Sequence, residues 1–171
     1  MYMIGDRDSL SADISPTYVG KNVFGIFSLF VRGQLVSNPE VLTSLAALAA
    51  GLKKSLQYCG MRESEELEGL DLPRIWYALN ISRYGDPIDI DRPAIVRGAE
   101  KFSVFTDHGA CFDETAFFLV ESKTCNLETL LWNAYAGSME DVKYCSLPYG
   151  AYKAFVEEFL QHVKIYGICL E

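Results

Sequence analysis

A chain of 171 residues, half of them hydrophobic, is long enough for one domain that buries roughly 70% of its unfolded surface. Its net charge of −8 and pI near 4.8 leave no basic stripe for the counterion release that drives binding to nucleic acid or an anionic membrane, and they favour a basic partner. Asp6 and Asp8 interrupt any apolar leader, no apolar run nears the roughly 18 residues of a membrane span, and five scattered cysteines form no Cys-x-x-Cys pair, so a soluble cytoplasmic protein with free thiols is expected.

The first residues read as a short strand, a turn at Gly5-Asp6-Arg7-Asp8, and an extended piece in which Leu10, Ala12 and Ile14 alternate with polar residues until Ser15-Pro16 ends it. The run Val23, Phe24, Ile26, Phe27, Leu29, Phe30 and Val31 is rich in β-branched and aromatic residues, and Arg32-Gly33-Gln34 turns it back into Leu35 and Val36. Asn38-Pro39-Glu40 offers a side-chain acceptor, a proline and a carboxylate in the order of a helix start, which predicts a helix from Pro39 to about Tyr58. Leu42, Leu45, Ala49, Leu52 and Leu56 would share its buried face, and Cys59-Gly60 would close it. The acidic stretch 62–71 suits a loop or a short exposed helix, and Pro73 opens a short packed helix over Leu72–Ile81.

Gly85-Asp86-Pro87 breaks the chain, and Ile88, Ile90 and Pro93 fit either an edge strand or an irregular loop. Strands are expected at Phe102–Phe105, Ala116–Val120 and Leu127–Trp132, separated by turns at Asp107-His108-Gly109 and Lys123–Asn126. A final helix from Tyr149 to about Val163 puts Tyr152, Phe155, Val156, Phe159 and Val163 on one face. Short connections make the pairing antiparallel, so the pattern predicts an α+β single domain over residues 1–171: an antiparallel β-sheet flanked by helices.

Chemistry-bearing constellations are sparse. Of the two histidines, only His108 lies near a cysteine, Cys111; two ligands are too few for zinc, and a turn histidine beside a core cysteine is the plainer reading, with a Cys–His nucleophile as the alternative. Asp86, Asp89 and Asp91, with Asp107, Asp113 and Glu114, lack the ordered ligand positions of a calcium loop. Gly20-Lys21 lacks the hydroxyl residue and spaced glycine of a phosphate loop. No nucleophile elbow or dinucleotide fingerprint occurs.

Two blocks nonetheless resemble a known family. Met3-Ile4-Gly5-Asp6-Arg7, then Val23-Phe24-Gly25-Ile26-Phe27 leading to Arg32-Gly33-Gln34-Leu35-Val36, then Glu40-Val41-Leu42-Thr43-Ser44-Leu45 are similar to the N-terminal half of the Imm42 immunity proteins. Phe112-Asp113, Ala116–Glu121, Glu128–Trp132 and Leu147-Pro148-Tyr149-Gly150 before the last helix resemble its later part, leaving roughly 58–100 uncovered. Ser37-Asn38-Pro39 stands where the family usually has Gly-Asp, and Arg32 where an Asn-Gly turn is common, which points to a different hairpin and helix entry here.

The resemblance implies a cytoplasmic, non-enzymatic protein, with no catalytic residue, metal or cofactor to carry over, that binds and neutralises a cognate toxin domain of a bacterial polymorphic or contact-dependent toxin system. An acidic surface matches a basic toxin domain, and specificity tends to sit on variable segments. Glu65, Glu66, Glu68, Tyr84, Asp86, Asp89 and Asp91 are therefore the candidate contact residues. A small enzyme using Cys111 with His108, and a general small-molecule or protein interaction module, are the alternatives.

Overall fold

The computed structural model describes residues 1–19, 22–85 and 96–168. It is a mixed α+β arrangement of two antiparallel sheets and three α-helices. The first sheet contains β1 (Tyr2–Gly5), β2 (Leu10–Val19), β3 (Asn22–Val31), β4 (Gln34–Leu35) and β5 (Leu42–Ser44), with both β4 and β5 pairing to β3. The second contains β6 (Thr115–Ser122), β7 (Leu127–Ala134) and β8 (Lys143–Pro148), in that order. The helices are α1 (Leu45–Ser55), α2 (Leu72–Tyr84) and α3 (Ala151–Val163).

Alternation along β3 sends Val23, Phe27, Leu29 and Val31 inward against α1 and α3, together with Ile4, Leu10, Ala12 and Ile14 from β1 and β2. The second sheet is buried on both faces. Phe117, Leu119, Leu130 and Trp132 join that first core, while Ala116, Phe118 and Leu131 face a second core built on Ile75, Trp76 and Leu79 of α2. Burial on both sides explains why β6 reads as a continuous apolar run rather than an alternation. The β3–β4 turn is made by Arg32 and Gly33, both at positive φ (47° and 75°), the backbone of a tight two-residue hairpin. From that turn the Arg32 guanidinium donates to the Ser146 carbonyl of β8 at 2.8 Å, tying one sheet to the other.

Several elements differ from the sequence expectation. The helix begins at Leu45, not Pro39. Asn38 Oδ1 accepts the Glu40 N–H at 3.0 Å and makes a local turn, while Leu42–Ser44 pairs with Phe24–Ile26 of β3. Ser44 is the actual N-cap, accepting from Ala47 N–H, and Leu42 is an exposed strand residue. Strand β2 does not stop at Ser15-Pro16 but runs on to Val19. The proline lies beyond the last β1 pairing, Tyr2 with Ile14, where the outer edge carries no ladder to break.

Phe102–Phe105 is not a strand. It follows a 3₁₀ turn at Ala99–Lys101 and touches β6 through one bridge, Ser103 with Phe118. Strand β8 was not anticipated, because Lys143–Pro148 is half polar and its pairing with β7 is decided by the register of the β6–β7 hairpin. The Ile88, Ile90 and Pro93 alternation lies outside the described residues.

Candidate functional site

The acidic stretch forms one wall of a groove of about 500 Å³ between the start of α2 and the end of β6. A 3₁₀ turn at Glu65–Leu67 is pinned by buried Leu67, which leaves Glu65 and Glu68 on the groove wall with Glu63. Ile75, Val120 and Leu67 supply apolar lining, so the groove is suited to the aliphatic stem and cationic head of a Lys or Arg side chain. Among the described residues the Glu65 and Glu68 carboxylates make no hydrogen bond or ion pair, whereas Glu63 accepts the Lys123 N–H at 2.8 Å and lies 3.8 Å from its ammonium. Glu66 does not line the groove; its carboxylate accepts from the hydroxyl of Ser64, which does, and that hydroxyl holds the carboxyl below its ordinary range.

What holds this wall in place is a buried charge pair that sequence reasoning missed. Arg62 is fully buried and contacts Glu121 of β6 at 3.0 Å. It also donates to the Lys101 carbonyl at 2.9 Å and the Ser55 carbonyl at 2.7 Å, and its guanidinium lies 5.1 Å from the Tyr152 ring centroid. Directly across the hairpin from Glu121 stands Glu128 of β7, also buried. Its two oxygens accept Gly150 N–H at 2.8 Å and Tyr152 N–H at 3.0 Å, capping α3 where Gly150 has no side chain to do so. Desolvation pushes the Glu128 carboxyl up, opposed by those two N–H donors. The signal was present in the sequence: in the alternation Phe117, Leu119, Glu121 and Glu128, Leu130, Trp132, both acids fall on the buried face and require partners.

Tyr84 is not part of the groove. It ends α2, nine residues past Ile75 and therefore about 13 Å along the helix axis. Its ring packs edge-on to Tyr135 at 4.9 Å, its hydroxyl donates to Asp107 at 3.0 Å, and burial pushes the phenol up. Asp86, Asp89 and Asp91 lie outside the described residues.

Cys111 and His108 do not form a nucleophilic pair. Cys111 is 3% exposed in the first core, and desolvation pushes its thiol up to about 11, so it is protonated at neutral pH. The His108 ring lies against Gly51 of α1, and burial lowers its basicity. Among the described residues no group of three or more His, Cys, Asp or Glu is placed to hold a metal ion, and no helix is long and apolar enough to cross a membrane.

No curated protein and no solved structure matches this chain. One family model does, that of Immunity protein 42, and it matches residues 1–162, running through the 58–100 segment where the sequence blocks had shown no likeness. With nearly the whole chain matched, and with the strands and final helix found where the resembling blocks lie, the protein belongs to the Immunity protein 42 family.

Proposed function

We propose that this chain protects a bacterial cell by binding a cognate toxin domain of a polymorphic or contact-dependent toxin system, one to one and without turnover, in the cytoplasm. The family match over residues 1–162 is the observation that carries this reading. The acidic groove gives it a docking place. Glu65 and Glu68 are unpaired carboxylates on a wall braced by a buried ion pair, on a chain of net charge −8. Such a surface steers a basic partner to fast encounter and takes up its Lys or Arg side chains once docked. Glu66 and Tyr84 on the described surface, and Asp86, Asp89 and Asp91 outside the described residues, are proposed as further toxin contacts, and the whole chain is proposed to act as one domain.

The test is co-purification with the C-terminal domain of any large secreted protein found encoded beside the gene for this chain, scored by growth of cells expressing that domain. A stoichiometric complex that rescues growth supports the reading; killing that persists with no complex overturns it for that partner. Within a complex, Glu65→Lys with Glu68→Lys is expected to slow association about tenfold at low salt and flatten its salt dependence. An unchanged on-rate at low salt removes the groove from the account.

A further inference from the structure

The first sheet is covered by helices on one face only. Helices α1 and α3 pack against Phe27, Leu29 and their neighbours, while Phe24, Ile26 and Phe30 of β3 point the other way, and cross-strand pairing puts Met3, Leu35 and Leu42 on the same side. None of these six belongs to either core. The three β3 residues are partly exposed, and Met3, Leu35 and Leu42 are 56, 44 and 51% exposed. The face has a definite relief. Three of the four residues that β3 presents between Phe24 and Phe30 are large, whereas the β2 residues paired with them include Ser11, Ser15 and Thr17, so a ridge runs beside a trough about 4.8 Å away. It is also nearly free of charge. Asp13 is the one charged residue that the described strands place on it, and Arg7, lying 4.3 Å over the Phe30 ring, pairs with that carboxylate at 2.7 Å.

Relief and charge together select the occupant. A basic toxin domain meets no field here to draw it, and two chains of net charge −8 repel each other least where neither presents charge. A two-fold axis running along the strands, midway between β2 and β3, sets the ridge of each copy over the trough of the other, the self-complementarity that an isologous contact requires. At about 4.8 Å between strands and about 3.3 Å per residue the five strands cover on the order of 450 Å² per copy, about 900 Å² for the pair before side-chain relief is counted. That lies close to the roughly 1,000 Å² at which specific interfaces begin, the size of a weak, reversible dimer. We propose that this chain forms a two-fold dimer through the open face of its first sheet, β3 of each copy seated on β2 of the other. None of the six apolar residues lines the acidic groove, and the dimer does not rest on the toxin-binding reading.

The experiment is sedimentation velocity of the full chain from about 5 to about 500 μM, with a concentration-dependent rise from 19.1 kDa toward twice that mass expected. Raising salt from about 20 to about 300 mM should tighten the dimer, because it screens like charges and the contact itself is neutral. Ile26→Lys, which charges the ridge, and Ser15→Tyr, which fills the trough, should each weaken dimerisation at least about tenfold, whereas Tyr144→Lys on β8 should leave it unchanged. Hydroxyl-radical footprinting of the parent, which needs no variant to fold, should show Met3 and Phe24 protected at high concentration and Met61 not. The proposal is overturned if the parent stays monomeric, if salt weakens the dimer, if folded Ile26→Lys and Ser15→Tyr associate as the parent does, or if the protection falls elsewhere. Protection of this face only when a toxin domain is added would also overturn it and give the face to the toxin.

Discussion

Replacing Arg62 by Met tests whether the buried charge pair holds the two cores together. The parent side chain joins Glu121, the Lys101 carbonyl and the Ser55 carbonyl at 3.0, 2.9 and 2.7 Å, with both charged groups at or below 1% exposure. Methionine fills much of the volume but leaves the Glu121 carboxylate buried without its cation, together with two carbonyls that lose their donor. Breaking a buried pair from one side costs about 3–5 kcal/mol. For a chain of this length each kcal/mol shifts the melting temperature by about 2–4 °C, so a fall of roughly 6–20 °C is expected. Urea unfolding followed by circular dichroism reads the free energy directly through the midpoint and slope.

The companion variant, Arg62→Met with Glu121→Leu, separates charge from shape. It removes more hydrogen bonds than the single change yet no longer buries a lone carboxylate, and it is expected to be more stable than Arg62→Met by about 2 kcal/mol. If the single variant loses under about 1 kcal/mol, or the double variant is the weaker of the two, the charge pair is not what braces the groove wall.

Three other outcomes follow from the geometry. Burial raises the Glu128 pKa above its unfolded value of 4.5, so the folded state holds that proton more tightly and this group's contribution to stability falls as pH rises from the unfolded pKa through the folded one. Glu128→Gln removes the titration. Its stability deficit relative to the parent should therefore be largest near pH 4 and narrow toward pH 7, read from urea midpoints; a deficit that widens over that range contradicts the assignment. Gly51→Ala gains about 1 kcal/mol of helix propensity but drives a methyl group to 2.4 Å from His108, and overpacking of about 1–3 kcal/mol should win, lowering the melting temperature; a rise would mean that the loop yields freely. In native protein a thiol reagent followed by peptide mass spectrometry should label exposed Cys125 within minutes and leave Cys111 unmodified until urea unfolds the chain; native labelling of Cys111 would revive a reactive thiol there.

How much of this was legible in advance depends on the range of the interaction that decides each feature. The β3 run, the Arg32-Gly33 turn, α2 with Pro73 in its first turn and the buried face of α3 follow from periodicity and turn chemistry within a few residues, and the structure has them. Asn38-Pro39-Glu40 carries an equally clear local signal, yet the chain uses it as a turn because Leu42–Ser44 pairs with a part of β3 that two-residue β4 leaves uncovered. Phe102–Phe105 fails as a strand for a similar reason: its apolar side chains pack inward while its backbone meets β6 at a single bridge.

At the candidate site, the sequence determined which acids bunch together, and composition alone set the sign of the surface charge. Tertiary structure sorted them: Glu65 and Glu68 onto a groove, Glu66 outside its lining, and Tyr84 about 13 Å along α2 into an aromatic contact. It also decided that Glu121 and Glu128, unremarked among the acids, carry structural weight. Their partners, Arg62 and the N-terminus of α3, lie 59 and 22 residues away along the chain, and local patterning does not encode pairing at such separations.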